Sequence, residues 1–127
     1  MIGYVGPIEQ LTETNTNFRQ VLFTGKYCQL VVMSLLPSEE IGLETHDTVD
    51  QFFRIEEGEG KVIMNGEEQV FKAGDAIIVP AGTAHNVVNT SSDAPLKLYT
   101  LYSPPNHPDG KIHTTKAEAM ADETDHV

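Results

Sequence analysis

A chain of 127 residues with 39% hydrophobic content suits one domain around one core. Its formal net charge of −11 argues against nucleic acid and anionic membrane surfaces as partners, since both call for basic patches. One cysteine, Cys28, rules out an internal disulfide and, inside the run KYCQLVVMSLL, is expected to be a small core residue. MIGYVGPIEQ lacks the basic-then-apolar pattern of a secretion leader, and no apolar run approaches a membrane span, so a cytoplasmic protein is expected.

In chain order, residues 1–17 read as a polar N-terminal arm or extended lead-in. Short strands follow: FRQVLFT (18–24), CQLVVMSLL (28–36), IGLETH (41–46), QFFRIEE (51–57), KVIMN (61–65), EQVFK (68–72), DAIIVP (75–80), AHNVVN (84–89) and LKLYTLY (96–102). GEG (58–60) and Asn65-Gly66 leave hairpin-length gaps, and Ala73-Gly74 and Ala81-Gly82 mark two more reversals. Many short strands with tight turns and no intervening helix predict an all-β sandwich or closed barrel. The tail alone reads as helical, near 115–123, where Thr115 and Glu118 form a capping box before good helix formers.

Chemistry concentrates in ETHDTVDQ (44–51) and GDAIIVPAGTAHNVVN (74–89). Strand side chains alternate faces, so Glu44 and His46 share a face about 7 Å apart along the chain. The turn at 47–50 lets Gln51 come back beside His46. Gln51, Phe53 and Ile55 share one face of their strand, and Phe52, Arg54 and Glu56 the other. His85 starts a strand after a stiff Pro-Ala-Gly turn. Asp47 and Asp50 read as turn formers, and Pro80 and Asn89 as structural. Tyr99 and Tyr102 differ in parity, so at most one faces the interior. His107 and His113, in a proline-rich loop, read as exposed, with a lid over the cavity mouth as the less favoured role. With Arg54 pointing outward, no interior base is evident for a phosphate.

The second stretch resembles the second motif of the cupins, G-x5-P-x-G-x2-H-x3-N, matched by Gly74, Pro80, Gly82, His85 and Asn89. The first resembles their first motif, H-x-H-x4-E-x6-G, with His46 in the second histidine's place and Gly58 at its end. The resemblance covers about residues 28–103. It implies a single cupin domain, a double-stranded β-helix or jelly-roll barrel, with an N-terminal arm (1–17) and a C-terminal loop and helix (104–127). Carried over by position, the family's metal ligands become Glu44, His46, Gln51 and His85. Glutamate stands where the family has histidine and Gln51 where it has glutamate, so two imidazoles and one carboxylate remain. Type I mannose-6-phosphate isomerases are similar in mixing Gln, His, Glu and His around a divalent metal.

Such a set suits one divalent transition metal, Zn, Mn, Fe, Co or Ni. Two functions stay open. One is metal-dependent chemistry on a small oxygen-bearing molecule, isomerase-like on a sugar or hydroxyacid, or a dioxygenase. The other is non-catalytic binding or sensing of a small-molecule ligand. No acid–base residue can be assigned, and none of the nucleophile motifs occurs. A homodimer is expected, because CQLVVMSLL is apolar on both faces and Phe52 points out of the barrel.

Overall fold

The computed structural model describes residues 2–126. A short helix α1 (Ile8–Thr14) precedes strands β1 (Arg19–Thr24), β2 (Gln29–Leu35), β3 (Asp50–Glu57), β4 (Glu59–Met64), β5 (Glu67–Lys72), β6 (Ala76–Val79), β7 (His85–Asn89), β8 (Leu96–Ser103) and β9 (Ile112–His113), and helix α2 (Lys116–Ala121) follows. Every strand pair is antiparallel. Six strands form one sheet in the order β6-β3-β8-β2-β1-β9, and three form a second in the order β5-β4-β7. This is the jelly-roll barrel that the cupin resemblance implies, with short helices at both ends.

The two sheets meet over one core. Phe53 and Ile55 of β3, Val31, Met33 and Leu35 of β2, Leu96 and Leu98 of β8, Val62 of β4 and Val87 of β7 are all buried there. The β4–β5 hairpin turns at Asn65-Gly66, both with positive φ (49° and 83°), the backbone a two-residue hairpin needs and the reason Asn-Gly marks one. Gly58, which closes the first motif, has φ 99°, and a Cβ there would meet the Pro95 carbonyl oxygen at 2.7 Å. Its identity is therefore set by close backbone approach.

Three expectations are corrected. The N-terminal arm contains a helix. α1 buries only Thr12 among its seven residues, too narrow a stripe to register as helical periodicity. A helix this short is held by its surroundings. It lies against the outer faces of β2, β3 and β8, and the buried Lys97 ammonium of β8 donates to the Asn15 carbonyl at its C-terminal end. Cys28 is exposed, because it sits in the β1–β2 turn that the Gly25 N–H bond to its carbonyl closes at 2.8 Å. Residues 41–46 are not a regular strand. They run antiparallel to β7 with isolated bridges at Glu40 and Glu44, interrupted by Gly42 (φ 111°), whose N–H turns to Asn86 Oδ1 at 2.8 Å.

α2 forms where the capping box places it, with the Glu118 N–H donating to Thr115 Oγ1 at 3.1 Å. Before it, β9 pairs with the start of β1, Arg19 opposite His113. The tail after α2 then returns to the barrel mouth.

Candidate metal centre

Glu44 and His85 are an antiparallel pair that exchanges both backbone bonds, Glu44 N–H to His85 O at 2.9 Å and His85 N–H to Glu44 O at 2.8 Å. Directly opposed side chains of such a pair lie on one face. Two residues on, the His46 carbonyl accepts from Gly82 at 2.9 Å, so the Pro-Ala-Gly turn anchors the motif-one segment. His46 Nε2 lies 3.8 Å from Glu44 Oε2, and the His46 and His85 rings are 5.4 Å apart between centroids. Gln51 is inward on β3, 3% exposed, and pairs in register with Tyr102, whose ring meets His46 edge-on at 6.0 Å. The residues singled out by spacing thus converge on one end of the barrel.

The donor atoms are oriented. His85 Nδ1–H donates to the Thr83 carbonyl at 2.9 Å, which leaves Nε2 with a free lone pair. Gln51 Nε2 donates to Thr100 Oγ1 at 3.0 Å, which leaves its carbonyl oxygen for the interior. Gln51 Oε1 and His46 Nε2 are both buried without a hydrogen-bond partner among the described residues. An orphaned buried polar atom costs about 1–3 kcal/mol, so each of the two points to a group that would pair it. Burial holds the His46 imidazole below its ordinary pKa; Glu44 opposes this, and the neighbouring His85 adds to it. A neutral imidazole is the form that binds a metal. The donor set therefore fits a borderline divalent ion, with Glu44 as its anion.

A second group of residues was not foreseen. Tyr102 is 2% exposed and His107 and His113 are each 1% exposed, so the two loop histidines expected at the surface are interior. The Tyr102 hydroxyl donates to His107 Nε2 at 3.1 Å, and His107 Nδ1–H donates to Asp125 Oδ1 at 2.9 Å. Asp125 Oδ2 in turn pairs with Arg19 Nη1 at 3.0 Å. Burial pushes the Tyr102 phenol up to about 12, against the opposing pull of Arg19 and with help from Glu44 and Asp125. For Asp125, burial pushes the carboxyl up, but the His107 hydrogen bond and the charges of His107, Arg19 and His113 outweigh it and hold it below its ordinary value. Strand parity allowed one of Tyr99 and Tyr102 inside, and it is Tyr102. Nothing local in the sequence marked Arg19 or Asp125, which are 106 residues apart.

The donor atoms of His107, Asp125 and His126 lie within 4.8 Å of one another, as do those of His113, Asp122 and Asp125. These largely buried His/Asp groups could hold a metal ion, whereas Glu44, His46 and His85 are not drawn so close together. Both ring nitrogens of His107 are already hydrogen-bonded, while His113 Nδ1, His46 Nε2 and Gln51 Oε1 are buried without a partner among the described residues. A cavity of about 320 Å³ opens beside Glu44, between residues 41–44, the start of β1 and the tail.

The profile of the family described as "Cupin domain" matches residues 31–102. The uncharacterized protein YrkC of Bacillus subtilis (strain 168) is 50% identical across 94% of this chain and 67% of its own length. The crystal structure of BH2720 from Bacillus halodurans superposes with a TM-score of 0.91 at 46% identity, covering 94% of each chain. That of a predicted oxalate decarboxylase from Thermotoga maritima gives 0.59 at 28% identity, covering 63% of this chain and 69% of its own.

Proposed function

The chain belongs to the cupin domain family, and on that premise we propose that Glu44, His46, Gln51 and His85 hold one divalent transition metal, used for chemistry on a small oxygen-bearing molecule. The observation that carries this reading is the pair of orphaned buried donors, His46 Nε2 and Gln51 Oε1, beside the bare Nε2 of His85 and the Glu44 carboxylate. Bound there, the ion would supply a Lewis acid with coordination positions left open for a ligand.

The chain's own residues do the rest. Thr83 fixes which nitrogen of His85 faces the site, and Thr100 fixes which end of the Gln51 amide does. The Tyr102 ring meets the His46 ring edge-on, and its hydroxyl proton goes to His107, which Asp125 orients.

Elemental analysis of protein purified without added metal tests the reading. About one divalent ion per chain is expected. His85→Ala should lose it, since no neighbour replaces that imidazole. Gln51→Ala should weaken binding more mildly, because water can take a neutral ligand's place, and Gln51→Glu should keep the ion. Wild-type protein that holds no metal and takes up none in titration would end the proposal.

A further inference from the structure

Arg19 is inward on β1, 4% exposed, and lines the cavity beside Glu44. The sequence reading found no interior base, because the start of β1 carries no mark of facing the site. The guanidinium is held in place: Nη1 binds Asp125, and its carbon sits 5.2 Å from the Phe18 ring centroid. Its Nε–H is nevertheless buried with no acceptor. The carboxylates around the cavity are committed, and His126 is its other titratable lining residue. Asp125 is shared between Arg19 and His107, Asp122 takes Lys111 at 2.7 Å and His113 at 2.9 Å, and Glu44 belongs to the metal set. Arg19 and Glu44 therefore line the cavity together, one a guanidinium whose Nε–H has no acceptor and the other the anion of the metal set. Phe18, Ile41, Leu43 and Met120 give it apolar walls.

We propose that this cavity receives a small carboxylate, whose carboxyl group is bound by Arg19 while its other oxygen-bearing end faces the metal centre at Glu44. A volume of about 320 Å³ lies at the lower end of the range for ligand pockets, and so fits an acid of a few carbons. A guanidinium already immobilised loses little side-chain freedom when it binds an anion, and a planar fork is the donor geometry a carboxylate matches. The Arg19 half of the proposal stands by itself; the half that places the far end of the acid rests on the metal reading above.

The experiment has two readouts. In the metal-free protein, the Arg19 Nε–H resonance is followed by NMR while glycolate, then ethylene glycol, is added. Arg54, on the outer face with Nε 3.1 Å from Glu56, is the internal control. The Arg19 signal should move with glycolate alone and the Arg54 signal with neither. In cobalt-loaded protein, visible titration should show Arg19→Met raising the glycolate Kd by about tenfold or more, about 1.4 kcal/mol, with the ethylene glycol Kd within about twofold. Arg19→Lys keeps a charge opposite Asp125, so a folded variant stays available; it should show the same selective loss, because a lysine lacks the fork. An Arg19 resonance indifferent to glycolate, or equal loss of acid and diol in both variants, would overturn the proposal. Failure to take up cobalt would instead sink the metal reading and leave the resonance test standing.

Discussion

Tyr102 reaches no water, presses on the His46 ring and gives its proton to a bond with His107. Ionising it would put a charge in a dry place near Glu44 and Asp125, which is why its phenol is pushed up to about 12. An ultraviolet titration of chelator-treated protein should find one of the four tyrosines still protonated near pH 11, after ordinary phenols have ionised at about 10. In Tyr102→Phe that late step should vanish, and a complete titration near 10 in the wild type would show that Tyr102 is not sealed. The sign for stability follows: folding raises this pKa, so the contribution is whole below about 10 and is lost as the pH climbs toward the folded value. At this scale the sequence was legible where chemistry repeats at fixed spacing. Glu44, His46, Gln51 and His85 could be named because two motifs lie in register. Arg19 and Asp125 could not, since their meeting is decided by where the tail lands.

Hairpin strands were the easiest elements to read, because their alternation and the Asn-Gly turn are local. α1 and β9 were missed for opposite reasons: the helix buries a single residue, and β9 is two residues whose only claim to be a strand is pairing with β1. The tail after α2 has no regular structure either, yet it is fastened through Asp125, which is 3% exposed and shared by Arg19 and His107. Replacing Asp125 by Asn leaves the buried Arg19 without its counter-charge and should cost about 3–5 kcal/mol, the usual loss when one partner of a buried pair is removed. Folding lowers the Asp125 pKa. Its contribution is therefore present above the unfolded value of about 3.9 and is lost as the pH falls through the folded value. Denaturant melts at a series of pH values should show the difference between wild type and Asp125→Asn wide at neutral pH and closing below about 4. A constant difference down to the lowest pH would mean that the carboxylate charge is not what holds the tail.

The homodimer expected from the sequence drew on two surfaces, and only one of them is left without cover. The outer face of β2 around Val32 is covered within the same chain: α1 packs on the strand, and Val32 is 1% exposed. Phe52 is different. On the outer face of the large sheet it stands in register with Ile78 of β6 and with Leu101 of β8, which in turn faces Leu30 of β2. These four form an apolar strip across four adjacent strands, with Ile78 66% exposed at its edge. A strip of this kind can meet its own copy about a two-fold axis, which is the commonest way a soluble chain covers such a surface. The net charge of −11 works the other way, since pairing brings two strongly acidic molecules together. Salt weakens that repulsion, with a screening length falling from about 10 Å at 0.1 M to about 3 Å at 1 M, and leaves the apolar contact in place. Sedimentation at micromolar concentration should therefore give a dimer whose dissociation constant falls as salt is raised. Ile78→Lys should give a monomer at every salt concentration, with little change in melting temperature, because the side chain is mostly in water before association. Wild-type protein that sediments as a monomer in high salt would leave this strip unpaired and the dimer refuted.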